Sequence, residues 1–118
     1  MESNLKIKFE EVDEKTFIVH FIGEFDKAGF MSVREELNRT VKAFDGLFLI
    51  FNFEKLKFIN SEGIGYLMEI HSHFSTVDAK FSIVGVRSNV LDIFETIGLD
   101  EIIPIYENMG EFDDSINN

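Results

Sequence analysis

The sequence holds no cysteine and no tryptophan, and a single proline, Pro104. Without cysteine there is no disulfide, no thiolate nucleophile and no Cys-type zinc site, and the redox compartment stays open. Basic residues are also scarce: 11 Lys and Arg stand against 22 Asp and Glu, for a formal net charge of −11. Nucleic-acid affinity rests mainly on Lys and Arg neutralising phosphates, so no nucleic-acid partner is expected. An anionic membrane surface is disfavoured for the same reason. A protein with a basic surface suits such a charge better. Long apolar runs are missing too. The longest, Gly46 to Phe53, is broken by Asn52 and falls far short of the ~20 residues of a membrane span. Met1 to Lys8 has no apolar h-region of a signal peptide. The expected compartment is therefore the cytoplasm.

What remains is a chain of 118 residues, 45% hydrophobic and 28% charged, which suits one globular domain over 1–118. A domain of this size buries roughly two-thirds of its unfolded surface, enough for a core without staples. Fourteen Phe residues predict a Phe-built core.

Hydrophobic periodicity orders the chain. Leu5 to Val12 alternates, with Leu5, Ile7 and Phe9 on one side, and reads as an edge strand. After the polar Asp13-Glu14-Lys15, Thr16 to Ile22 reads as a second strand ending at Gly23, paired with the first as a hairpin. Phe30, Val33, Leu37, Val41 and Phe44 recur at helical spacing, predicting a helix over about Ala28 to Ala43. Leu47 to Phe53 is a strand-length apolar run, as expected of a central strand buried on both faces. A helix over about Glu62 to Phe74 and a strand over Lys80 to Val86 follow. A third helix carries Val90, Ile93, Phe94 and Ile97, with Ser88 as its N-cap and Gly98 at its C-cap. Ile102-Ile103 reads as a short last strand. The segment 107–118 carries Glu107, Glu111, Asp113 and Asp114 with no base. Met109, Phe112 and Ile116 there fall on one side of a short helix. The order β-β-α-β-α-β-α-β implies an α/β domain: a mostly parallel central sheet with an antiparallel first strand and helices packed on the sheet. Sites in such sheets lie beyond the carboxyl ends of the parallel strands.

Ser61 stands at the central junction, where the second helix begins. One reading makes Ser61 the N-cap, its hydroxyl accepting a first-turn N–H. Another makes it a modification or nucleophile site, because a helix N-terminus accommodates a phosphate. Gly63 and Gly65 each cost a helix roughly 1 kcal/mol relative to Ala. Close helix–strand packing accounts for them, as does the approach of another molecule's backbone to Ser61. A hydrolase elbow fails, since position 59 is Ile. His71 and His73 lie farther along the same helix, about 200° apart, and cannot share a metal. A dinucleotide fingerprint fails at Met68. No catalytic residue, metal or cofactor is expected. Asp26, at the first junction, reads as the N-cap of the first helix and as a neighbour of Ser61 in space.

Two motifs resemble the STAS domain, the family of sulfate transporters and anti-sigma factor antagonists. Gly23-Glu24-Phe25-Asp26 resembles the family's G-E-hydrophobic-D, and Phe58-Ile59-Asn60-Ser61-Glu62-Gly63-Ile64-Gly65 resembles its aromatic-hydrophobic-D-S-S-G-hydrophobic-G. Asn60 stands where the family has Asp, and Glu62 where it has a second Ser. The resemblance spans about Leu5 to Phe112. It implies a non-enzymatic, anti-sigma factor antagonist-like regulator. Its partner would be an anti-sigma factor that is also a serine kinase of the histidine-kinase-like ATPase type. Ser61 would be the phosphoacceptor, and phosphate there would break the complex. Asp26, Phe58, Asn60, Ser61, Glu62, Gly63 and Gly65 would form the partner-facing end. The alternatives are an unphosphorylated STAS scaffold and a domain that holds a nucleotide or lipid at the same end, a helix N-terminus being able to hold an anion.

Overall fold

The structure is a computed structural model that describes residues 3–117. The first strands are β1 (Leu5–Glu11) and β2 (Thr16–Phe25), followed by α1 (Lys27–Ala43). Then come β3 (Phe48–Ile59), α2 (Ser61–Phe74), β4 (Lys80–Val84) and α3 (Ser88–Ile97). A 3-10 turn (Leu99–Glu101), β5 (Ile105–Tyr106) and α4 (Met109–Ile116) end the chain. The strands form one sheet in sequence order, β1 to β5. Only the β1–β2 pair is antiparallel. Right-handed crossovers between sequential parallel neighbours send every crossover helix to the same side. Thus α1, α2 and α3 share one core with Val19, Phe21, Leu49, Phe51, Phe53, Phe81 and Ile83. On the opposite face α4 lays Phe112 over Ile18, Ile50 and Val84.

The expected Phe core is present. Phe21, Phe25, Phe51, Phe53, Phe94 and Phe112 are fully buried. Phe21 sits at the centre, its ring 4.7 Å from that of Phe51 and 5.1 Å from that of Phe53. Such contacts between aromatic edges and faces add to the burial of apolar area.

Several boundaries differ from the sequence-based expectation. Strand β2 runs past Ile22 to Phe25, and β3 runs past Phe53 to Ile59. The two continue as a pair, Glu24 opposite Phe58 and Phe25 opposite Ile59, with register shifts between His20 and Ile22 and between Gly23 and Glu24. Exposed Glu54 and Lys55 break the apolar run of β3 without ending the strand. Gly23 makes the bend, with φ of 115°. A Cβ there would stand 1.7 Å from the Asn4 carbonyl oxygen, so only glycine serves. Strand β4 stops early at Val84. The edge of β3 beyond it is covered by side chains: Arg87 Nε donates to the Glu54 carbonyl (3.1 Å) and Asn89 Nδ2 to that of Lys57 (3.0 Å). Ser88 is the first residue of α3 and not its N-cap; Arg87 holds that position and makes no side-chain cap. Ile102-Ile103 is not a strand. Ile103 turns into the core while the chain is still held to Leu99, and the last strand forms only after Pro104.

Candidate functional site

The parallel strands β2 and β3 finish side by side. The Asn60 N–H donates to the Phe25 carbonyl at 3.1 Å. This bond brings together the two residues that follow, Asp26 at the start of α1 and Ser61 at the start of α2. Asp26 is the N-cap of α1 as expected, its Oδ1 accepting the Gly29 N–H at 2.8 Å.

The cap of α2 corrects the structural reading of Ser61. Asn60 is the N-cap, and its Oδ1 accepts from both Glu62 N–H (3.1 Å) and Gly63 N–H (3.2 Å). Ser61 is the first helical residue. Its side chain is exposed, and among the described residues its hydroxyl has no hydrogen-bond partner. The amide oxygen of Asn60 therefore satisfies the first-turn donors, and the neighbouring hydroxyl is left free. Glu62 is exposed beside it and places a negative charge at the positive end of the helix.

The two glycines behave differently. Gly63 is buried, and a Cβ there would lie 2.7 Å from Ile59 Cγ1 and 2.8 Å from Phe25 Cδ1. Gly63 thus lets α2 close down on the ends of β2 and β3. Gly65 is exposed, with nothing within 4 Å of such a Cβ. No packing inside the chain explains it. Phe58 is 44% exposed, a large apolar side chain next to the end of β3. Met31, in the second turn of α1, is 63% exposed. No motif marks Met31; the available signal was an apolar residue off the buried stripe of Gly29, Val33, Leu37 and Val41.

Behind the site, Tyr66 ties α2 to α1. Its hydroxyl donates to Asn38 Oδ1 at 2.8 Å. Burial pushes its phenol well above the ordinary value, with Glu69 adding to the effect and Arg34 opposing it. On the far face of the sheet, His20 is half-buried between Glu10, whose Oε1 is 2.7 Å from Nε2, and Asn52, 3.2 Å from Nδ1. Asn52 Oδ1 accepts the Glu54 N–H, so its NH2 faces the ring and Nδ1 is the acceptor.

The family model for the STAS domain matches residues 7–112. The chain belongs to the STAS domain family. An anti-sigma F factor antagonist from Paenibacillus polymyxa is 24% identical to this STAS domain over 105 residues, 89% of each chain. Among solved structures, an anti-sigma factor antagonist from Mycobacterium paratuberculosis has a TM-score of 0.84 at 17% identity, over 97% of this chain and 95% of its own. The Bacillus cell fate determinant SpoIIAA in its phosphorylated form gives 0.70 at 19% identity, over 93% and 99%. At these identities the structures establish the STAS fold: five strands with an antiparallel first pair and helices on both faces. Among the described residues, no helix of this STAS domain is long and apolar enough to cross a membrane.

Proposed function

We propose that this STAS domain is an anti-sigma factor antagonist that acts by binding in the cytoplasm, without catalysis. Its partner is an anti-sigma factor that is also a serine kinase of the histidine-kinase-like ATPase type. The partner-facing end comprises Asp26, Phe58, Asn60, Ser61, Glu62, Gly63 and Gly65, and Ser61 is the phosphoacceptor. One observation carries this reading: a serine hydroxyl, exposed and unbonded, on the first residue of a helix capped by its neighbour. The relatives named as antagonists, and the phosphorylated form of SpoIIAA, support it.

The physical consequences follow from position. A phosphate brings about 1.5 to 2 negative charges. The helix N-terminus tolerates that charge, so the fold of α2 is kept. Its effect falls on the partner, which meets a new anion beside Glu62 and loses close contact. Exposed Phe58 supplies apolar area, and Gly65 leaves room for a partner backbone.

The test is incubation with ATP and the anti-sigma kinase from the same genome, followed by mapping of phosphate by mass spectrometry. Phosphate on Ser61 is expected, with Ser61→Ala retained by the partner and Ser61→Asp released. Equal retention of the two variants sinks the switch. A stable complex with Ser61 unmodified would make the protein an unswitched binding module.

A further inference from the structure

Strand β1 forms one free edge of the sheet. Strand β1 pairs with β2 in an unbroken register from Leu5–Gly23 to Glu11–Phe17. The bonds that flank this ladder fix its phase: Glu24 N–H donates to Asn4 O (3.1 Å), and Val12 N–H to Thr16 O (3.0 Å). Even-numbered residues therefore bond inward to β2, and odd-numbered residues turn their N–H and C=O outward. Leu5 N–H is taken by Ser3 Oγ at 3.1 Å. Ile7, Phe9 and Glu11 are left presenting backbone donors and acceptors along the edge. The edge has no proline and no bulge, the usual devices against pairing. Phe9 is 38% exposed, its ring 5.8 Å from that of Phe17.

The geometry points to a second copy of this chain as the occupant, through antiparallel pairing of β1 with β1 about a two-fold axis normal to the sheet. The argument is charge complementarity along Leu-Lys-Ile-Lys-Phe-Glu-Glu. Lysines occupy its first half and glutamates its second, so an antiparallel copy meets opposite charge. Opposed residues must share a face, so the register moves only in steps of two. One register sets Phe9 against Phe9, Lys8 against Glu10 on both sides, and Ile7 against Glu11. A step one way sets Lys8 on Lys8, and a step the other way sets Glu10 on Glu10. Like charges directly opposed are destabilising, whereas aromatic and opposite-charge pairs are favourable. The first register alone among these three avoids like-charge opposition. Glu10 gives one oxygen to His20, and its second oxygen is free for the Lys8 of the other copy. The result is one continuous sheet across two chains, with the two Ser61 ends facing opposite ways along the strands.

Edge pairing buries far less than the ~1,600 Å² of a standard interface, so the dimer is weak and depends on concentration. Net charge of −11 on each copy opposes it. Physiological ionic strength screens charges farther apart than about 8 Å, while pairs in contact are screened less.

Sedimentation equilibrium on the full chain at that ionic strength tests the proposal. A monomer–dimer equilibrium is expected, with Lys8→Glu raising the dissociation constant about tenfold, since two attractive pairs become repulsive. The double reversal Lys8→Glu/Glu10→Lys is expected to restore it. Phe9→Pro should abolish pairing yet fold, because that N–H lies outside the β1–β2 ladder; should it unfold, the charge series decides. A single-chain mass at every concentration overturns the proposal. So does a dimer indifferent to Lys8→Glu, or one that the double reversal fails to restore. None of these outcomes depends on whether Ser61 is phosphorylated.

Discussion

Gly63 and Gly65 share one helix turn but have opposite surroundings, and the difference can be measured. Gly63→Ala forces a methyl against Ile59 and Phe25, both buried. Overpacking of about 1 to 3 kcal/mol is set against a helix gain of about 1 kcal/mol, so stability in urea titrations should fall. Gly65→Ala meets open space and should gain up to about 1 kcal/mol, while on the proposed reading binding to the anti-sigma partner weakens. A Gly65→Ala variant that is stabilised and binds normally would remove Gly65 from the interface. Sequence reasoning left these two glycines undivided because the clash partners come from β2 and β3, remote in the chain. It also offered Ser61, and not Asn60, as the cap. Asn and Ser are near-equal N-cap residues, and a one-residue choice between them depends on where the preceding strand ends. That end is set by the Asn60–Phe25 hydrogen bond, which no local pattern reveals.

The elements α1 and α2 are joined by the Tyr66–Asn38 hydrogen bond, and the buried phenol that makes it carries a pH dependence. In the unfolded chain a tyrosine ionises near pH 10. In the fold, burial raises that value. A raised value means the native state resists losing the proton, so the stabilisation is intact below about pH 10 and is lost as pH rises above it. Unfolding free energies measured from about pH 9 to about pH 11 should decline, and Tyr66→Phe should flatten the decline. An unchanged slope in Tyr66→Phe would place the alkaline lability elsewhere. At this scale most of the fold was legible, because amphipathic stripes such as Val33, Leu37 and Val41 follow directly from burial on one side. The hidden part was the length of β2 and β3. Their outer halves are held by pairing with each other and by Arg87 and Asn89, and Glu54, Lys55 and Lys57 give them the composition of a loop. Ile102-Ile103 misled for a related reason. An apolar pair before a proline fits a strand, but Ile103 is buried by a turn that β5 then follows.

Across the whole molecule, 22 acidic residues against 11 basic ones set how a partner is met. On the proposed reading, association with an anti-sigma factor of basic surface should be steered at low salt. The association rate in stopped-flow should fall by roughly tenfold or more on reaching physiological ionic strength, with dissociation changed much less. A salt-independent association rate would show that the acidic surface takes no part in capture. The fold class was readable from strand–helix alternation, and two short motifs pointed to the junctions at Asp26 and Ser61. The division of the sheet into a face under three helices and a face under α4 was not readable, since Met109 and Phe112 carry no mark of the side they cover. The clasp between Phe25 and Asn60 has a consequence for timing. It holds Ser61 where two paired strands end, with the Glu62 and Gly63 amides already committed to Asn60. A phosphate written there has no loop to rearrange and no strand to release. On the proposed reading the message is carried by charge alone, so the speed of the response belongs to the enzymes that add and remove it, and the domain adds no relaxation time of its own.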